Sequence, residues 1–236
     1  MPFNIGGYIY NGGIADPADY KNIVSRGLLM HLDASAPSSY PTSGTIWSDI
    51  STQTNNGTLI NGPTYNSANG GSIVFDGTDD YVGCGTGINH GTGGFTYEAW
   101  VNTNSITGGY GWIMGKAGFN MGLNRYNNVL QFFLYDSSNN LYAESVYILS
   151  IGTWWHVVGA FDGSVIRLYV NGGQYGSGQT VGTARNYGAQ DLYLGTPNAS
   201  NLYWSGKIAS AKVYNRALSL VEVQQNFNIQ RSRFGV

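Results

Sequence analysis

From Leu28 onward the chain is written as short apolar runs broken by pairs that suit tight turns. FTYEAWVNT (95–103) places Phe95, Tyr97, Ala99 and Val101 on one face and Thr96, Glu98 and Trp100 on the other, the period of two of a β-strand. VGAFDGSVIRLYV holds two such runs around Asp162-Gly163-Ser164. Asn56-Gly57, Asn61-Gly62 and Asn171-Gly172 repeat the signal, because Asn, Asp and Gly accept the positive φ angles of hairpin turns. LLMHLDAS, GSIVFDG, YVGCG, VLQFFLYD, WWHVVGAFDG, DLYLGT and GKIASAKVYNR complete the series. Strands at this spacing, with no helices between them, specify an all-β antiparallel sandwich or barrel.

Helix signals stand only near the ends. Asp16, Pro17 and Gly27 suit a cap, a first turn and an exit, which predicts a two-turn helix over 17–25. Ser219-Leu220-Val221-Glu222 is a capping box and predicts a helix over 220–228. The chain then divides into an N-terminal arm (1–25), one sandwich domain (26–228) and a basic-aromatic C-terminal tail (229–236). The arm reads equally as an ordered strap on the domain or as a partner-binding extension.

Charge narrows the partners. Eleven Lys and Arg against thirteen Asp and Glu leave a net −2, with no basic stripe for nucleic acid. No apolar run reaches the roughly 18 residues of a membrane-spanning helix. MPFNIGGYIYNGG lacks a basic start before an apolar core, so no secretory signal is expected. Cys84 is the one cysteine and cannot form an internal disulfide; it reads as a small buried apolar residue, with an intermolecular bridge as the alternative.

Chemistry is sparse. The three histidines divide into His31 and His156, inside strand runs and expected to be structural, and His90 in the loop GINHGTGG. No G-x-S-x-G elbow and no phosphate loop ending in Lys-Ser or Lys-Thr occurs. The densest acidic group is Asp76, Asp79 and Asp80 in SIVFDGTDDYVGCG. Asp76-Gly77 is a turn signal, and Asp side chains close turns by local hydrogen bonds. The alternative is a calcium ion, which takes six to eight oxygens and would need Asp49 or Asn55 from a second loop.

GLLMHLDAS (27–35), IWSDIS (46–51), NNGTLINGPTY (55–65), IVFDGTDDYVGCG (73–85), FTYEAWV (95–101), GTWWHVVGAFDGSVIRLYVNG (152–172) and GKIASAKVYNRALSLVEVQQNFN (206–228), in this order, resemble the concanavalin A-like, laminin-G-like jelly-roll family. The resemblance implies a jelly-roll sandwich of two antiparallel sheets, one concave, with loops at the rim, to which the two terminal helices read from the capping signals are added. A core about 10 Å thick would be filled from alternate positions such as Phe75, Phe95, Tyr97, Trp100, Val157, Phe161, Leu168 and Val170. Glycosidases of this fold carry Glu-x-Asp-x-x-Glu. Here Glu98, Glu144 and Glu222 are the only glutamates and none has an acid two residues away, so no catalytic residue is expected. A structural calcium is a family habit, but no residue is assigned as a metal ligand. The other habit is sugar binding by exposed aromatics flanked by amides. It points to the loop residues Tyr110 and Trp112 in GGYGW, Tyr126 in NRYNN, and Tyr203 and Trp204 in NASNLYW, as contacts for a glycan or a protein. Trp100, Trp154 and Trp155 are read as core.

The closing stretch NRALSLVEVQQNFNIQRSRFGV is similar to the ends of such domains in bacteriophage structural proteins. With that resemblance the leading expectation is a noncatalytic virion component, a capsid decoration or tail-associated protein, oligomeric and bound to other virion proteins. The alternative expectation is a carbohydrate-binding module or host-glycan adhesin.

Overall fold

The computed structural model describes residues 4–5, 8–9, 22–116, 121–183, 185–186, 188, 190–199 and 202–236. Two antiparallel sheets stack face to face. The front sheet runs, in spatial order, β13 (Leu141–Tyr147), β12 (Val129–Tyr135), β11 (Met121–Tyr126), β10 (Tyr110–Lys116), β17 (Leu192–Leu194), β8 (Tyr81–Gly83), β5 (Gly57–Ile60) and β4 (Ile46–Trp47). The back sheet runs β16 (Gly173–Thr180), β15 (Val165–Val170), β14 (Trp154–Phe161), β9 (Phe95–Thr103), β18 (Ser205–Tyr214), β7 (Ser72–Asp76) and β6 (Thr64–Asn66), with β3 (Leu28–Asp33) also on β18. A small hairpin of β1 (Asn4–Ile5) and β2 (Tyr8–Ile9) precedes them. Of the sandwich and the barrel that the strand pattern left open, the sandwich forms, as the family resemblance implied.

The main core lies between the sheets. From the front come Ile113, Met114, Leu123, Leu130, Phe132 and Leu134; from the back come Phe95, Tyr97, Val101, Val157, Phe161 and Leu168. Each large apolar side chain withdrawn from water contributes about 1.5–3 kcal/mol. Cys84 is a free thiol in this core, and burial pushes its pKa up to about 12, which leaves it an unreactive apolar filler.

The outer face of the back sheet is buried too. The helix α1 (Leu220–Phe234) lies across it. Its capping box forms as expected, with Ser219 taking the Glu222 N–H and the Glu222 carboxylate taking the Ser219 N–H. The helix runs six residues past its expected end and stops at Gly235 in the left-handed conformation, φ 71°. The reason is tertiary. Phe227 and Phe234 stack on Trp100 at centroid distances of 5.8 and 4.1 Å, and Arg233 Nη1 donates to Asp33 Oδ1 at 2.9 Å. The expected tail therefore contributes its residues 229–234 to a helix docked on the sandwich. Trp100 packs beneath this helix, not between the sheets.

Other expectations change. Gly57 is not in a tight turn: it opens β5, where a Cβ would come within 2.5 Å of Val82 Cγ1. IVF and YVG belong to different sheets, so the acidic stretch between them carries the chain across the sandwich. Of the helix expected over 17–25, residues 17–21 lie outside the described residues. Ile23 and Val24 are buried, and the Val24 N–H donates to Asn226 Oδ1 on α1 at 2.9 Å.

Candidate functional site

The outward face of the front sheet carries a trough at its β13 end. Register builds it. Trp112 of β10 pairs with Asn124 of β11, which pairs with Gln131 of β12. The next row toward the opposite sheet end is Gly115, Gly122, Phe133 and Ala143. Residues opposite one another on a sheet face have Cβ atoms about 5 Å apart, so these side chains meet. The two glycines are required. A Cβ on Gly122 would come 2.3 Å from Trp112 Cζ3, and one on Gly115 would come 2.7 Å from Trp112 Cε3. The indole therefore lies flat over a bare patch of backbone, with Phe133 edge-on at 5.2 Å and 83°.

The trough holds about 210 Å³, of the size of one sugar ring, and Tyr110, Tyr135 and Leu141 stand at its mouth. Tyr110 is 43% exposed and packs on Tyr126, itself 44% exposed, at 4.7 Å. Two amides, Asn124 and Gln131, lie among the rings. Asn124 is 1% exposed, and its carboxamide oxygen has no hydrogen-bond partner among the described residues. Leaving such a group buried and unmet costs about 1–3 kcal/mol. Among the described residues no carboxylate lines the trough.

Of the five aromatics singled out in the sequence, Tyr110 and Trp112 enter the trough and Tyr126 buttresses Tyr110. All three sit on strands, not loops. Tyr203 lines a second, wider groove that shares Tyr110 and Leu202 with the trough. Trp204 is a correction: it is wholly buried in the main core and presents no surface. Trp112 is also 2% exposed, so it serves as floor and not as a projecting face. Asn124, Gln131, Phe133 and Tyr135 escaped the sequence reading. The signal was available in VLQFFLYD, where the alternation sets Gln131, Phe133 and Tyr135 on the face opposite Leu130, Phe132 and Leu134.

The other polar candidates are placed elsewhere. Glu98 lies under α1, wholly buried, with Lys212 Nζ at 2.9 Å from Oε1 and Asn226 Nδ2 at 2.7 Å from Oε2. Burial alone would raise its pKa, but Lys212 and then His156 hold the carboxyl below the ordinary range. His156 Nε2 stands 3.1 Å from Glu98 Oε1 without the alignment of a hydrogen bond. His31 is buried beside Asp33, and burial followed by the Lys212 charge lowers its pKa to about 3. His90 Nε2 lies 3.3 Å from the Tyr97 hydroxyl. Glu222 is held by Arg216 and the helix cap.

The carboxylate oxygens of Asp76, Asp79 and Asp80 lie within 4.8 Å of one another, close enough to share a cation. Turn bonds already engage two of them. Asp76 Oδ1 takes the Thr78 N–H at 2.7 Å, and Asp80 Oδ2 takes the Asp76 N–H at 3.0 Å. Asp49 and Asn55 do not join them. Asp49 takes the N–H groups of His31, Ser51 and Asn55, and Asn55 donates to Leu29.

No curated protein sequence matches the chain. Among solved structures it is similar to the binding domain of Paraclostridial mosquitocidal protein 1, with TM-score 0.70, 14% identity, and 86% of this chain matching 52% of that one. It is similar to the botulinum neurotoxin serotype G binding domain, with TM-score 0.67, 14% identity, and 86% of this chain matching 51% of that one. It is also similar to a Trypanosoma rangeli sialidase in complex with sialic acid, with TM-score 0.66, 20% identity, and 87% of this chain matching 33% of that one. The chain thus spans about half of the two binding domains and a third of the sialidase, and these likenesses concern the fold. Residues 76–224, more than half of the 236, match the model of a laminin-G-like family. With the two-sheet sandwich, that match places this chain in the concanavalin A-like lectin/glucanases superfamily.

Proposed function

We propose that this protein is a noncatalytic glycan-binding domain and that the front-sheet trough seats a sugar ring. The observation that carries the proposal is the aromatic trough with the amides of Asn124 and Gln131 set among its rings, the Asn124 carboxamide oxygen lying unmet just beneath the surface. Sugar hydroxyls bond the two amides, a small turn of the Asn124 side chain bringing its oxygen to the ligand, while the apolar face of the ring packs on Trp112, Phe133 and Tyr110. Binding sites commonly combine a mostly apolar lining with a few placed polar groups. The names of the two toxin neighbours as binding domains agree with this reading. The noncatalytic part draws on the positions of Glu98 and Glu222, each tied into structural contacts away from the trough.

A glycan array followed by calorimetry tests the proposal. Binding should be found, and Tyr110→Ala and Asn124→Ala should each weaken it about tenfold while melting stays near that of the parent. An array without binders, or binders indifferent to both substitutions, would sink it. A virion location, with the trough turned toward host glycans, is compatible with this function. Mass spectrometry of the particle would detect it.

A further inference from the structure

The wider groove beside the trough holds about 560 Å³ and runs to the rim of the sandwich past Ser105, Thr107, Tyr203 and Asp76. Tyr110 and Leu202 line both cavities, so a bound chain of sugars can pass from one to the other. The groove also meets Arg125. Arg125 follows Asn124 on β11, so the two side chains leave opposite faces of the strand. Asn124 turns into the trough, while Arg125 turns under the 104–109 loop at the end of the sheet.

Arg125 is 3% exposed. Its Nη1 donates to the carbonyls of Gly109 at 2.9 Å and Thr107 at 3.4 Å, but its Nε has no acceptor. Among the described residues no carboxylate forms an ion pair with it. The missing side chain of Gly111 makes room for it, since a Cβ there would lie 2.9 Å from Nε and 3.2 Å from Cζ. Two other buried cations of this protein meet a carboxylate, Lys212 with Glu98 and Arg233 with Asp33. Lys116, like Arg125, meets backbone carbonyls, those of Ile88 and Gln190 at 2.6 Å each, and the unmet Nε is what sets Arg125 apart. A buried charge without a counter-charge is costly, and a guanidinium matches a carboxylate in a bidentate pair.

We infer that the preferred ligand is an acidic saccharide whose carboxylate is held by Arg125 in the groove while a neighbouring sugar fills the trough. The inference rests on the glycan-binding reading and names its ligand class. Asp76 does not cancel the guanidinium. Its carboxylate is exposed and occupied by the Thr78 turn, and it makes no ion pair with Arg125. It orients the ligand instead, favouring hydroxyls at the rim and the acid at the Arg125 end.

The test is calorimetry on the full chain with sialyllactose and with trigalacturonate, each against its own methyl ester, and with neutral oligosaccharides. These arms separate a keto-acid sugar from a uronic acid as the source of the carboxylate. At least one acid should bind ten or more times tighter than its ester. Arg125→Gln should abolish that margin, and Arg125→Lys should restore part of it. Equal binding of acid and ester by the parent protein, or a margin that survives Arg125→Gln, overturns the inference. If Arg125→Gln fails to fold, the acid–ester comparison on the parent protein still decides. Neutral glycans that bind through Tyr110 without any preference for acid overturn the inference and leave the glycan reading standing. No binding of any saccharide removes both.

Discussion

The two sheets both bury polar side chains, and they differ in how the charged ones are met. Under α1 Lys212 and Arg233 pair with carboxylates, although Trp100 Nε1, Ser210 Oγ and both ring nitrogens of His156 lack a hydrogen bond there among the described residues. Arg125 of the front sheet pairs with no carboxylate among the described residues. Behind the back sheet, Glu98, Lys212, Asn226, Gln230, Asp33 and Arg233 complete one another under α1. On β11 of the front sheet, the Asn124 carboxamide oxygen, on the trough face, and the Arg125 Nε, on the other face of the strand, are buried with no hydrogen-bond partner among the described residues. Buried polar groups in folded proteins are almost always hydrogen-bonded. Where the chain closes its own network, the residues hold the fold. Beside the aromatic cavity, the proposed ligand would supply the partner that the chain does not. The comparison also places Glu98, the acid inside FTYEAWVNT, in the charge-paired network.

The largest effect should come from breaking the closed network. Lys212→Met leaves Glu98 buried without its cation and should cost about 3–5 kcal/mol in denaturant unfolding. The folded fraction should bind glycan as the parent does; weakened binding would mean that the two faces are coupled. Gly122→Ala should come next, because the added Cβ displaces the Trp112 indole. We expect a loss of about 1–3 kcal/mol in stability and of most glycan binding, read by melting and calorimetry on the same sample.

Acid should then strain the back face more than the front. His31 titrates at about 3 in the fold against an ordinary 6.5, and burial lowers His156 in the same direction. As pH falls from 6.5 toward 3 the unfolded chain takes up protons that the folded chain refuses, so stability present above 6.5 is lost across that window. Melting temperature against pH should show this decline, and His31→Gln should make it shallower. A smaller effect is expected at Asn124. Its replacement by Ala should lower affinity by about 1–1.5 kcal/mol and leave stability nearly unchanged, because no protein bond to its oxygen is lost. A marked fall in melting temperature would assign Asn124 to the fold instead. The smallest effect belongs to the acidic turn. Asp79→Asn should leave the melting curve in place with either calcium or EDTA, and a calcium-dependent rise would reopen the cation reading.

Much of the frame was legible locally. FTYEAWVNT forms β9 over its whole length, and VGAFDGSVIRLYV forms the β14–β15 hairpin with Asp162 Oδ1 closing the turn on the N–H groups of Ser164 and Val165. GGYGW, MGLNRY and GQYGSGQT were harder to read as strands. Their glycines remove the side chains that make a period visible, and it is pairing with neighbours that holds them extended. Tyr110 and Trp112 were recognisable as site candidates from residue type, while Trp204 was misplaced because nothing local distinguishes a loop tryptophan that turns inward.

Alternation, turn chemistry and the capping box by themselves determined the all-β class, the faces of β9 and the start of α1. These are short-range effects, in which each residue constrains neighbours a few positions away. Only the tertiary structure decided that Trp112, Asn124 and Gln131 form one row, that α1 runs on to Phe234 over Trp100, and that Arg125 is left without a counter-charge. Each of those outcomes depends on which distant strand lies alongside and in what register, and a one-residue slip would send every one of those side chains to the opposite face.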